Sequence, residues 1–219
     1  MGWIVLTVLG IAGFAVLFII LTDGRYFGKW LMHWVYDRFG PAMFGAHSEA
    51  ERWRTLAETL QLRGDEAILD VGTATGDLPL TIAGLPDFRG QVTGVDWSPR
   101  MMAAAEAEAA RRGLSDRARF EVVDVREPLP YPDGAFDVGF CLGLLETWPR
   151  PERILTELAR LLKPDGALVV SLNRGWSSKS IALSLDWYRR HLAALGFEDL
   201  EVAPCRQNQD VVIARRRTP

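Results

Sequence analysis

The sequence predicts an α/β fold: an open, mostly parallel sheet of seven strands with helices on both faces, the last strand antiparallel, and a transmembrane helix ahead of it. Three observations carry this reading. Short apolar runs alternate with helix-period segments from Ala67 onward. Ile68-Leu69-Asp70-Val71 runs into a small-residue turn, Gly72-Thr73-Ala74-Thr75-Gly76, and then into a helical segment opened by Asp77, which is how a buried parallel strand enters a helix. Trp3 to Leu21 contains no charged residue.

As a helix, that uncharged run would reach about 28 Å, close to the ~30 Å hydrocarbon core of a bilayer. A cleaved signal peptide would want a basic start, a shorter apolar stretch and a small-residue cleavage site, and the run ends instead in Leu21-Thr22-Asp23-Gly24-Arg25. A retained single-pass anchor over residues 1–24 is therefore expected over a signal peptide or a buried apolar helix. No Lys or Arg precedes it, whereas Arg25, Lys29 and Arg38 follow, which puts the remainder of the chain on the cytoplasmic side of the cell membrane. In residues 25–47, Tyr26, Trp30, Trp34 and Tyr36 with interspersed basic residues suit a helix at the headgroup level. The same stripe also suits packing on the domain, and both can hold on opposite faces. Gly40-Pro41 is expected to end this helix.

Residues 48–219 read as one domain. A helix is expected from Ser48, as N-cap with Glu51 three residues on, to Leu62. Strands follow at Ala67–Val71, Gln91–Asp96, Arg119–Val123, Phe136–Leu142 and Ala167–Leu172. The helices between and after them are Asp77–Ala83, Arg100–Arg112 behind Ser98-Pro99 and ahead of Gly113, Pro149–Lys163, and Ser178–Leu195 ending at Gly196. Phe197–Val202 and Asp210–Ala214 close the sheet; the loop joining them is too short for a parallel crossover, so they pair antiparallel.

The net charge of −3 gives no footprint for nucleic acid. Cys141 and Cys205 lie in largely apolar surroundings without CxxC spacing and are expected as buried free thiols. His33, His47 and His191 have no metal-ligand spacing, so no metal is expected. Arg215-Arg216-Arg217 reads as a solvated tail, with contact to anionic headgroups as the other reading. The sequence carries no signal for oligomeric state.

In open α/β sheets the ligand sits beyond the C-terminal strand ends. The glycine turn lets backbone approach a ligand closely, ahead of a helix N-terminus. Asp96 ends the second strand about twenty residues past that turn, where its carboxylate can accept from both ribose hydroxyls. The bland reading, a cap for the next helix, is better filled by Ser98. Trp97 offers a face for adenine. Asp124 can accept from the adenine amino group beside the Val125 N–H, against the reading of a solvated loop acid. A dinucleotide turn needs G-x-G-x-x-G, but the register is Gly72-x-Ala74-x-x-Asp77. An acid there repels pyrophosphate and suits a ligand with a sulfonium and an α-ammonium.

The stretch Leu69 to Leu78 resembles the first motif of class I S-adenosylmethionine-dependent methyltransferases. Val92 to Met102, Asp124 through Leu129-Pro130-Tyr131-Pro132-Asp133-Gly134-Ala135-Phe136-Asp137, and Leu161 to Ala167 are similar to the motifs that follow. Tyr36-Asp37-Arg38 and Trp53-Arg54 resemble, more weakly, the methyltransferase type 11, ubiquinone/menaquinone C-methyltransferase branch. The resemblance implies a Rossmann-like fold and S-adenosyl-L-methionine as cofactor. It implies a cofactor shell of Asp70, Gly72, Thr73, Ala74, Gly76 and Asp77, with Asp96, Trp97, Met101, Asp124, Val125 and Cys141. Within it Gly72, Gly76 and Asp77 surround the methionine part, Asp96 meets the ribose and Asp124 the adenine. Ala74 departs from the glycine usual in the family, and the His or Asn pair many relatives carry after the fourth strand is replaced by Gly143-Leu144-Leu145-Glu146-Thr147-Trp148.

Methyl transfer from a sulfonium is an in-line displacement, so the protein mainly supplies proximity and excludes water. A base is needed only where the acceptor must lose a proton; Glu146, Tyr36 and His33 are the candidates, each with a structural alternative in capping or core packing. Leu144, Leu145 and Trp148 point to an apolar acceptor, and a tethered domain gains effective concentration only for membrane-resident ones. The expected activity is methylation of a lipid-like acceptor such as a quinone precursor, a phospholipid headgroup or an isoprenoid. A soluble acceptor, or a module that binds the cofactor without turnover, are the alternatives.

Overall fold

Ala67–Val71 (β1) is buried along nearly its whole length, as expected of an unbroken apolar run covered on both faces. It lies at the centre of the computed structural model, which describes residues 29–45, 49–174, 182–206 and 209–217. In chain order the elements are α1 (Lys29–Gly45), α2 (Ala50–Leu60), β1, α3 (Asp77–Ala83), β2 (Gln91–Asp96), α4 (Pro99–Arg112), β3 (Ala118–Val122) and β4 (Phe136–Cys141). A 3-10 turn at Leu145–Thr147, α5 (Pro151–Leu161), β5 (Leu162–Asn173), α6 (Leu185–Ala194), β6 (Phe197–Arg206) and β7 (Gln209–Arg216) complete it. The sheet order is β3-β2-β1-β4-β5-β7-β6. β1 pairs parallel with β2 and with β4, so the order reverses at β1 and opens the crevice where ligands bind in such sheets. β7 runs antiparallel to both β5 and β6.

The pleat sends consecutive residues to opposite faces, and two apolar layers result. Ile68, Val92, Val138 and Val169 pack with Leu56, Ile82 and Met101 of α2, α3 and α4. Leu69, Val95, Leu168 and Val170 pack with Leu155, Leu158 and Tyr188 of α5 and α6.

Several expectations need correction. Gly40-Pro41 does not end the first helix; α1 runs through Pro41 to Gly45. Pro41 forfeits one backbone bond, which the buried Gly40 and the anchoring of α1 on the domain tolerate. The capping box falls partly on Ser48, outside the described residues. Glu49 occupies the cap position of α2 without a side-chain capping bond, its carboxylate pairing with Arg52 instead, and the helix closes at a left-handed Gln61. β5 begins at Leu162 rather than Ala167, because Leu162 pairs with Phe136 before a register shift. Residues 182–184 are not helical: Ser184 caps α6 by accepting from Trp187 N. β6 and β7 both run longer than expected, to Arg206 and Arg216. The basic tail is not wholly solvated, since Arg216 donates to Leu162 O and Arg217 pairs with Glu198. The transmembrane expectation falls on residues outside the described ones, and no described helix is long and apolar enough to cross a membrane.

Candidate active site

The turn between β1 and α3 carries left-handed backbone at Gly72 (φ 80°), Ala74 (φ 49°) and Gly76 (φ 76°). Gly76 is required for space as well: a Cβ there would meet Phe120 Cε1 at 2.5 Å. Most of the turn's amides are spent holding its own shape. Gly72 N and Thr73 N donate to Val95 O at 2.9 and 3.1 Å, and Gly76 N donates to Thr73 O at 2.9 Å. Ala74 N donates to Asp96 Oδ2 at 3.2 Å. What the turn presents is close approach and acid, rather than a nest of free amides for phosphate.

Asp70 and Asp96, both buried, face this turn from the ends of β1 and β2. Burial pushes the Asp70 carboxyl up to about 7, and the Asp96 charge adds to the effect. Asp96 is also raised by burial, opposed by the N–H of Ser98, which donates to Oδ1 at 3.0 Å, and by that of Ala74. Ser98 caps α4 as expected, accepting from Met101 N at 3.2 Å.

Helix α1 closes over this end of the site. Tyr36 Oη donates to Asp96 Oδ2 at 3.2 Å, and its ring lies 5.5 Å from that of Trp97, tilted by 30°. Asp37 accepts from Ser98 Oγ at 2.6 Å and pairs with Arg100 at 3.3 Å. Burial and the Asp96 charge hold the Tyr36 hydroxyl well above its usual range, in keeping with its donation to Asp96. His33 belongs to α1, but its side chain is outside the described residues.

Asp77 opens α3 as expected, yet its Oδ2 is turned to α2, accepting from Glu49 N and Trp53 Nε1, both at 2.8 Å. Asp124 is chelated by Arg126, whose backbone N and Nε donate to Oδ1 at 2.9 Å. Val125 is half-buried against the layer under α5. Met101 is fully buried in the core of α4, and Thr73 is buried in the turn. Cys141 is fully buried at the end of β4, its thiol pushed well up by burial, with Glu146 and Asp70 adding to it; Cys205 is only half-buried.

Beyond β4, the Leu144 side chain lies 3.4 Å from where a Gly72 Cβ would stand, so this loop roofs the glycine turn. Glu146 follows, buried, with Oε1 accepting from Ser171 Oγ at 2.7 Å and Asn173 Nδ2 at 2.9 Å. Among the described residues its Oε2 is buried without a hydrogen-bond partner. Sequence reasoning missed Ser171, Asn173 and Asp37 as site residues. The first two were signalled by polar residues punctuating the apolar run of β5.

The site thus sets buried carboxylates and a tight turn at the sheet's reversal, with an aromatic pair at the far end. That fits a cationic nucleoside ligand and not a pyrophosphate. Comparisons with known proteins agree. Residues 69–170 match a family model described as a methyltransferase domain. A phosphatidylethanolamine N-methyltransferase from Cereibacter sphaeroides is 37% identical over 147 residues, 67% of this chain and 65% of that protein. A demethylmenaquinone methyltransferase from Thermus thermophilus is 40% identical over 120 residues, 54% of this chain and 53% of that protein. The chain therefore spans less than two thirds of the length of either relative. Among solved structures, the [4+2]-cyclase SpnF is 26% identical with a TM-score of 0.67, covering 78% of this chain and 81% of that one. A SAM-dependent methyltransferase from Aquifex aeolicus shares the fold at a TM-score of 0.65 and 20% identity, covering 74% of this chain and 88% of that one. With this turn, these strand-end acids and these matches, residues 69–170 form a methyltransferase domain, and the chain has homologues among S-adenosylmethionine-dependent methyltransferases.

Proposed function

We propose that the chain is a membrane-associated enzyme that transfers a methyl group from S-adenosylmethionine to a lipid-like or other small apolar acceptor. The observation that carries the reading is Asp96: a buried carboxylate at the reversal of the sheet, beside a turn held in left-handed backbone at Gly72, Ala74 and Gly76. The cofactor, when bound, supplies an electrophilic methyl on sulfur. The chain's residues bind and orient. Asp96 is assigned to the ribose, Asp70 and the turn to the charged methionine part, and Trp97 with Tyr36 to the base. Leu144, Leu145 and Trp148 would exclude water on the acceptor side. Asp77 supports the site through α2, and Asp124 would need to leave Arg126 to meet the adenine.

Two observations support a membrane-resident acceptor. The uncharged run Trp3–Leu21 is long enough for a single-pass anchor, with basic residues on its cytoplasmic side. On α1, directly after it, Trp34, Phe39 and Met43 are 55%, 46% and 64% exposed, with Arg38 beside them. The two relatives named above act, by their names, on phosphatidylethanolamine and demethylmenaquinone. Because the fold is shared with a cyclase, turnover needs its own test.

The test is release of S-adenosylhomocysteine by the purified full chain on membrane lipid extract, alongside cofactor affinity of Asp96→Asn. The expected result is turnover on extract, with affinity weakened about ten- to hundredfold in the variant, as for loss of a charged hydrogen-bond acceptor. Tight cofactor binding with no turnover on any extract would favour a binding module.

A further inference from the structure

We propose that Glu146 is the proton acceptor on the acceptor side of this site, and that the acceptor it serves is a primary or secondary amine arriving as its ammonium. This rests on the methyltransferase reading and names the substrate chemistry within it.

The placement comes first. Glu146 follows β4, and the loop carrying it roofs the glycine turn through Leu144. Asp70 on β1 pairs with Phe140 near the end of β4, and Glu146 is bonded to Ser171 of β5 on the other side of β4. Asp96 lies on the other flank, beyond β1.

The carboxyl is also held in one orientation. Oε1 takes both Ser171 Oγ and Asn173 Nδ2. Each of those partners is fixed in turn: Ser171 Oγ accepts from Gly143 N at 2.8 Å, and Asn173 Oδ1 accepts from Gln209 Nε2 at 3.0 Å. Tyr188 Oη donates to Ser171 O at 2.9 Å beneath them. A carboxyl serving only to cap the 3-10 turn would not need a network spanning β5 and β7. Among the described residues Oε2 is buried with no hydrogen-bond partner, an unfavourable arrangement that an N–H donor relieves. Among the described residues no Lys, Arg or His pairs with Glu146.

The chemistry selects the acceptor. An ammonium N–H gives its proton to Oε2, freeing the nitrogen lone pair. That pair forms the carbon–nitrogen bond while the carbon–sulfur bond breaks and its electrons stay on sulfur. The product leaves as a methylammonium, and Glu146 returns its proton to water. Burial raises the affinity of Glu146 for that proton. An ammonium enters this acidic edge as its complement, and giving up its proton leaves a neutral nitrogen nucleophile, whereas a hydroxyl giving up its proton becomes an anion beside Asp70 and Asp96.

The test uses the full chain. With S-adenosylhomocysteine bound, it is titrated with glycerophosphoethanolamine. In parallel, methyl-labelled cofactor is supplied with vesicles of phosphatidylethanolamine and phosphatidylglycerol, with phosphatidylglycerol vesicles, and with free ethanolamine. We expect label on nitrogen alone; label in the mixed vesicles identifies a lipid headgroup as the source, and label on ethanolamine a soluble amine. In Glu146→Gln, amine affinity should fall at least tenfold and kcat at least a hundredfold, with S-adenosylhomocysteine affinity within twofold and Tm nearly unchanged. Asn173→Ala, which removes a donor that favours the carboxylate, should move the acid limb of the rate profile to higher pH, and Glu146→Asp should restore part of the rate. Label on oxygen or carbon, no amine binding by the wild-type chain, or a Glu146→Gln variant with wild-type rate would each overturn the assignment. If the chain fails to bind S-adenosylhomocysteine at all, the methyltransferase reading falls and this inference with it. Cofactor binding without amine binding overturns this inference alone.

Discussion

Ala74 is the residue where a local rule and a functional site collide. It holds φ 49°, a region costly for a side chain and free for glycine, in the loop that must fit the cofactor most closely. Ala74→Gly should therefore stabilise the fold by about 0.5–1 kcal/mol, read as a rise in Tm, without loss of cofactor affinity by calorimetry. Asp70 gives a second prediction, with a definite sign. Its folded-state value of about 7 lies above the unfolded 3.8, so its contribution to stability is complete below about 4 and is lost as pH rises through 7. Binding of the cationic cofactor needs the opposite state. Affinity should weaken as pH falls below about 7, and Asp70→Asn should flatten both profiles, in calorimetric titrations and in Tm against pH. That a carboxylate ends the first strand is visible in the sequence; that burial there pushes its pKa up is not, because desolvation depends on what packs around it.

At the scale of elements, legibility followed hydrogen-bonding locality. β1, α3 and β2 begin and end where the residues predict, since glycine turns and the Ser98 cap act within a few positions. α1 was misjudged at Pro41 because the contacts that carry a helix past a proline are tertiary: Tyr36 to Asp96 and Asp37 to Ser98, some sixty residues away. The early part of β5 lies where the residues predict the end of a helix at Lys163 and the turn after it, because Leu162 is a strand residue only through Phe136 opposite it. Asp77 shows the same division. Its place at the head of α3 follows from sequence, while its carboxylate turns to Trp53 of α2, a choice settled between helices.

At the scale of the molecule, α1 lies against the Asp96 edge of the sheet, presenting Tyr36 and Asp37 inward and Trp34, Phe39 and Met43 outward. If residues 1–24 supply the anchor, removing them should release the chain from sedimented membranes, while S-adenosylhomocysteine affinity stays within about twofold because Asp96 and its partners remain. Retention of the truncated chain would make α1 itself the membrane-binding element. The sequence by itself determined the alternation of strands and helices, the acids at the strand ends and the exclusion of a dinucleotide turn, because periodicity, glycine spacing and charge are written in adjacent residues. Only the tertiary structure decided that Tyr36 caps Asp96, that Asp77 serves α2, and that Glu146 is held by Ser171 and Asn173 with one oxygen unpaired. Those depend on burial and on contacts between segments far apart in the chain, where desolvation and geometry, rather than residue type, set what a side chain does.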